Sequence, residues 1–220
     1  MFGLTTIPRN FPIVARIDTD FWGAVSGSSF NITNRIIGVA HPRRLCIAAS
    51  AWLGTSDTLV SVAMDGIGHT IHDQVLSGTG PGVAISSALV PTGTTVTQSF
   101  VFSGSITRLT FRNVRMLQFR QNTPHDIQKV GVMGTSASVT VRVPPGGSGY
   151  AVACASSAAG EFTSWDAPVS TRAMKDDNGL AYAAANYENA TRQAVNVTFK
   201  INKSGAAPIA LIAASFQGDN

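Results

Sequence analysis

"RLCIAASAWLG" at 44–54 decides how this chain is read, because "YAVACASSAAG" at 150–160 answers it in the second half. A second pair follows in the same order, "VTQSFVFSGSITRL" at 96–109 and "VNVTFKINKSGAAPIAL" at 195–211. Each copy reads as a small-residue strand, an irregular middle, a strand, a Ser-Gly turn and another strand. Two stacked β units leave such an echo, because neither unit buries its apolar face alone. Within the first stretch Leu45, Ile47, Ala49, Ala51 and Leu53 share one strand face, and Cys46, Ala48, Ser50 and Trp52 the other. Small residues on both faces predict close packing on both sides.

Composition agrees. Only 13% of the 220 residues are charged. Glutamate occurs only at Glu161 and Glu188, and lysine only at Lys129, Lys175, Lys200 and Lys203, so the usual material of helix surfaces is scarce. "GLAYAAANYENATRQ" at 179–193 has the alanine content of a helix, but the matching order of the halves assigns it to a strand. So few charges also point to a surface covered by other subunits. The net charge of +4 comes from scattered arginines with no basic run, so no nucleic-acid partner is expected. No basic start leads into an apolar stretch and no long apolar run follows, so neither a signal peptide nor a membrane span is expected.

The expected organisation is an N-terminal arm over residues 1–33, with a strand at "PIVARI", and a β-sandwich over 34–217. The sandwich comprises similar halves at 34–121 and 137–217, joined by a polar connector at 122–136. Strands are expected at 35–40, 44–53, 58–64, 69–75, 82–90, 94–103 and 106–120, then at 137–143, 149–157, 167–174, 180–186, 193–202 and 207–216. Turn signals fall between them at Asp65-Gly66, Pro91-Thr92-Gly93, Ser103-Gly104 and Ser204-Gly205. The parity of apolar residues slips between Asn113 and Arg115, which predicts a β-bulge near Asn113.

Candidate sites are few. His69 and His72 are three apart, a spacing that sends strand side chains to opposite faces, so no metal is expected. No nucleophile elbow, phosphate loop or zinc-protease helix motif occurs, and neither a cofactor nor an enzymatic activity is expected. Cys46 and Cys154 read first as buried reduced thiols and second as an interchain disulfide. Trp52 suits a core, whereas Trp165, in "EFTSWDAP", is the better exposed contact. Arg108, Arg112, Arg115 and Arg120 are candidates to orient partners.

"RIIGVAHPRRLCIAASAW", "VPTGTTVTQSFVFSGS", "VRVPPGGSGYAVACASSAAGEFTSW" and "PIALIAASFQG" together resemble a group of small virion proteins of tailed bacteriophages, similar to jelly-roll sandwiches. The resemblance covers residues 24–217 and rests on strand order and turn phrases. It implies a jelly-roll-like antiparallel β-sandwich with a non-enzymatic role in the virion, as a decoration, collar, neck or tail-associated subunit made in the host cytoplasm. The implied partners are copies of itself, as a homotrimer or another closed ring, and other virion proteins. The alternative is a carbohydrate-binding or host-adhesion module that meets surface glycans through Trp165, Tyr182 and Tyr187.

Overall fold

A computed structural model describes residues 19–78, 80–117, 122–177 and 179–217. The chain is all-β, with two antiparallel sheets packed against each other, and each half of the sequence builds one of them. The first half contributes β1 (Thr19–Ile36), β2 (Arg44–Leu53), β3 (Leu59–Met64), β4 (Ile67–Gly68), β5 (Thr70–Leu76), β6 (Pro81–Leu89) and β7 (Thr95–Leu117). They lie in the order β4-β3-β7-β2-β6-β5, with β1 also on β7. The second half contributes β8 (Asp126–Val143), β9 (Ser148–Ser156), β10 (Phe162–Trp165), β11 (Ser170–Asp177), β12 (Leu180–Glu188) and β13 (Val195–Phe216). Their order, β10-β13-β9-β12-β11 with β8 on β13, repeats the first sheet strand for strand, apart from the short β4.

The two strand faces read from 44–53 go to two different interiors. Ala48 and Trp52 join Phe100, Phe102, Ile106 and Phe111 inside the first half. Leu45, Ile47, Ala49 and Ala51 instead meet Val152, Tyr182, Ile212 and Phe216 of the second half in a middle layer. The second half encloses its own interior around Phe162, Trp165, Phe199 and Leu211. Strands β2, β6, β9 and β12 are therefore buried on both faces for nearly their whole lengths, and alanine and serine let the layers approach. The first sheet curls over its interior. The Gln74 side chain on β5 accepts from the Leu59 amide at 2.9 Å and donates to its carbonyl at 3.1 Å, tying the sheet's last strand to β3.

Several expectations change. The arm of 1–33 is, from Thr19 onward, the strand β1, hydrogen-bonded along β7; "PIVARI" lies outside the described residues. The expected strand at 35–40 is only the end of β1. The connector of 122–136 is likewise mostly the start of β8, the counterpart of β1. The register of β7 against β2 runs unbroken past Asn113, so there is no bulge there. Parity slips because polar side chains are buried: Asn113 Nδ2 donates to Gln98 Oε1 at 2.7 Å.

Ser103-Gly104 and Ser204-Gly205 are not turns but latch points in the middle of β7 and β13. The segment after β2 crosses the first: the Ser103 amide donates to the Thr58 carbonyl and the Thr58 amide to Ser103 Oγ, both at 2.9 Å. The second repeats the pair, from the Ser204 amide to the Glu161 carbonyl at 2.9 Å and from the Glu161 amide to Ser204 Oγ at 3.0 Å. The neighbouring glycines make room for the crossing. A Cβ at Gly104 would collide with the Asp57 carboxylate, and one at Gly205 with the Ala159 carbonyl, well inside the 3.0 Å that real Cβ atoms respect.

One buried polar side chain seals the same end of each half. The Arg44 guanidinium, 0% exposed, donates to the carbonyls of Val90, Gly38, Val39, Gly93 and Thr92. In the second half Asn189 Nδ2 donates to the carbonyls of Val143, Pro144 and Gln193.

Arg44→Ala leaves these loop carbonyls without donors and lowers stability by about 3 kcal/mol or more in chemical denaturation, against a neutral result if the loops close without it. Alanine normally improves a strand position held by glycine. Gly205→Ala nevertheless lowers the unfolding free energy by about 2 kcal/mol and Gly104→Ala by less, because a carbonyl cannot swing aside as a carboxylate can.

Candidate functional site

The sequence-predicted contacts mostly turn inward. Trp165 is 7% exposed and packs edge-on against Phe199 at 6.4 Å, so the expectation of an exposed contact is overturned. The supposed loop around it is β10, whose Trp165 pairs with Ile201, and its equivalent in the first half is the buried Val62. Tyr182 lies in the middle layer, and Tyr187 is half-buried at the rim. The glycan reading thus loses two of its three aromatics.

Arg112, 5% exposed, donates through Nη1 to the Arg172 carbonyl at 2.9 Å and ties the two halves together. Arg115 is buried beside Cys46 and Arg44. Of the four arginines, Arg108 keeps a partly exposed side chain, with Nη1 on the Thr107 carbonyl at 2.7 Å, and Arg120 lies outside the described residues. Arg112 and Arg115 are therefore parts of the fold rather than outward contacts.

Cys46 and Cys154 are free and buried on opposite faces of their sheets. Cys46 lies in a small cluster with Met64 and Val96, and burial pushes its thiol up to about 11 despite Arg44 nearby. Cys154 lies in the middle layer, its Sγ 3.6 Å from the Trp52 carbonyl, and burial raises its pKa strongly. Neither sulfur is placed to meet another chain, so an interchain disulfide does not fit this fold. Both thiols are expected to resist an aromatic disulfide reagent until the chain unfolds, with a single monomer band on non-reducing gels; rapid labelling of the native protein contradicts this.

His69 Nδ1 lies 3.3 Å from Ser86 Oγ and His72 Nε2 lies 2.7 Å from Ser87 Oγ, so the two imidazoles serve opposite faces of β6. No group of three metal-binding side chains occurs among the described residues. Burial lowers both histidines, His69 to about 4 from 6.5. The unfolded chain therefore takes up these protons first as the medium is acidified. Stability is complete above pH 6.5, falls as the pH drops toward 4, and loses up to about 3 kcal/mol through His69. Urea titrations across this range show the slope in the native protein and a shallower one in His69→Gln; identical slopes contradict the assignment.

One open hollow of about 570 Å³ runs along β1 between Val25 and Arg35, and two further concave features lie elsewhere on the surface. One, of about 390 Å³, lies where the halves meet and is lined by glycine, serine, threonine and proline with Leu53, and has no titratable side chain. The other, of about 290 Å³, lies at the edge of β11 and β12 and is lined by Pro168, Ser170, Arg172, Asn186, Tyr187 and Glu188. It holds the charged side chains, Arg172 and Glu188, that the cleft between the halves lacks. Sequence reading missed it because Arg172 reaches Asn186 only through a local register slip. The one available signal was that Arg172 and His72 occupy corresponding places in the two copies.

Beyond these clefts the exposed surface of the long ribbons is hydroxyl-rich. Ser138, Thr140, Asn196 and Thr198 face outward from β8 and β13, with Thr140 Oγ1 2.8 Å from Thr198 Oγ1. Ser28, Asn31, Thr33, Ser103, Ser105 and Thr107 do the same on β1 and β7. No helix among the described residues is long and apolar enough to cross a membrane. No protein-family model, curated protein or solved structure matches the chain.

Proposed function

We propose that this chain is a structural subunit of a tailed-bacteriophage virion, assembling as a homotrimer or another closed ring that covers or reinforces the capsid, neck or tail. The observation that carries the reading is the pair of long ribbons β1/β7 and β8/β13, whose outer faces are rich in hydroxyl and amide side chains. Such faces lose little on desolvation, because each hydroxyl finds a new partner across a contact, and they suit repeated docking between copies. Strand β1 pairs with β7 alone among the described residues, so its other edge presents further backbone groups. The aromatic platform a glycan-binding module needs is largely spent inside the protein, and this favours the structural role over adhesion.

Mass spectrometry of density-purified particles of the encoding phage tests the proposal. The subunit is expected in many copies per particle, retained through high-salt washing. Its absence from intact particles overturns the proposal.

A further inference from the structure

The two halves repeat each other down to one misregistered residue. In the first, Ile71 pairs with Ser86 and Asp73 with Ile85, so His72 is an extra residue on β5. In the second, Thr171 pairs with Ala185 and Ala173 with Ala184, so Arg172 is the extra residue on β11. Thr70 and Ser170 then correspond, as do Ser87 and Asn186, each pair being partners across the same rung. The bulge turns the extra side chain toward the equivalent neighbour both times: His72 Nε2 meets Ser87 Oγ at 2.7 Å, and Arg172 Nε donates to Asn186 Oδ1.

What differs is what lies on top. In the first half the chain covers its own notch. Ser87 Oγ donates to the Asn122 carbonyl at 2.9 Å, and Asn122 Nδ2 donates to Thr70 Oγ1 at 3.2 Å. One residue of a non-strand segment thus satisfies the rim with a main-chain acceptor and a side-chain amide. The corresponding notch in the second half is the 290 Å³ cleft. No described segment crosses it, and the Arg172 terminal nitrogens have no hydrogen-bond or ionic partner among the described residues.

We propose that this cleft binds an extended peptide segment of a partner protein, seated as Asn122 is seated in the first half but carrying an Asp or Glu where Asn122 stands. The Asn186 amide takes the part of Ser87 as donor to the segment's main-chain carbonyl. Arg172, in place of a histidine, presents paired N–H groups to a carboxylate, the geometry in which guanidinium recognition is strongest. Pro168 and Tyr187 form an apolar wall for the flanking residue. Glu188 on the same rim disfavours a second acid, so the matching segment carries one carboxylate rather than an acidic run. The inference does not depend on the chain being a virion subunit.

The test uses the full chain, isotopically labelled, and three synthetic peptides with the sequence of residues 118–125: one unchanged, one with Asp and one with Lys in place of Asn122. Titration followed by NMR is expected to show the Asp peptide binding at least tenfold tighter than the Asn peptide, with the Lys peptide inert and the shifts confined to β11, β12 and the turn before β11. Arg172→Gln is expected to weaken the Asp peptide at least tenfold without moving the unfolding midpoint. Ser170→Glu, which supplies a competing carboxylate while leaving Arg172 in place, does the same. The proposal is overturned if the Asp and Lys peptides bind alike, if none binds at millimolar concentration, if Arg172→Gln with an intact fold leaves affinity unchanged, or if oligosaccharides rather than the peptides shift these residues.

Discussion

The middle apolar layer is the constraint on which the rest of the structure depends. Each sheet turns one face to its own interior and the other to its twin, and a sheet so placed has no solvent side along its central strands. The consequences reach back into composition. Alanine and serine dominate β2, β6, β9 and β12 because two layers must close on a single strand, and charge is confined to strand ends, at Arg44 with its carbonyl partners and at the exposed Glu188, because a buried ion without a partner is prohibitively costly. The thiols are carried along with the strands: Cys46 and Cys154 are small apolar fillers in a double-sided sheet.

The same constraint explains how the polar residues are used. Loops at the end of each half cannot be packed by large apolar side chains alone, so their inward carbonyls need a donor. Arg44 satisfies one set and Asn189 the other. The Ser-Gly latches do similar work halfway along β7 and β13, where a crossing segment must lie close to a continuous strand. Different residues thus solve one geometric problem twice, and this marks the halves as copies more securely than their sparse sequence identity does.

Sequence reading recovered what the middle layer dictates and missed what lies at its margins. The kinship of β2 with β9, the alternation along β2 and the strand expected at 180–186 were legible because burial on both faces leaves a dense small-residue signature, although the rungs match Ile47 rather than Arg44 with Tyr150. Strand β1 and the first part of β8 were illegible because a ribbon buried on one side, and rich in glycine and serine, resembles a linker. The Ser-Gly pairs were recognised as punctuation but given the wrong role, since a turn and a close crossing demand the same glycine. Trp165 was misplaced because β10 is a short strand that slips at Thr163, and its burial is visible only once it is matched to Val62. The cleft at Arg172 depends on another slip, and an extra residue in a strand has no signature in a single sequence.

Hydrogen exchange by mass spectrometry under native conditions tests the central claim most directly, that two copies of one sheet are held as a single unit by the layer between them. The account predicts that amides of β2, β6, β9, β12 and the C-terminal half of β13 are the slowest in the chain and become exchangeable together, in one cooperative opening as denaturant is added. Protection lost from one half while the other remains closed would contradict it, because each half would then be finished without its twin.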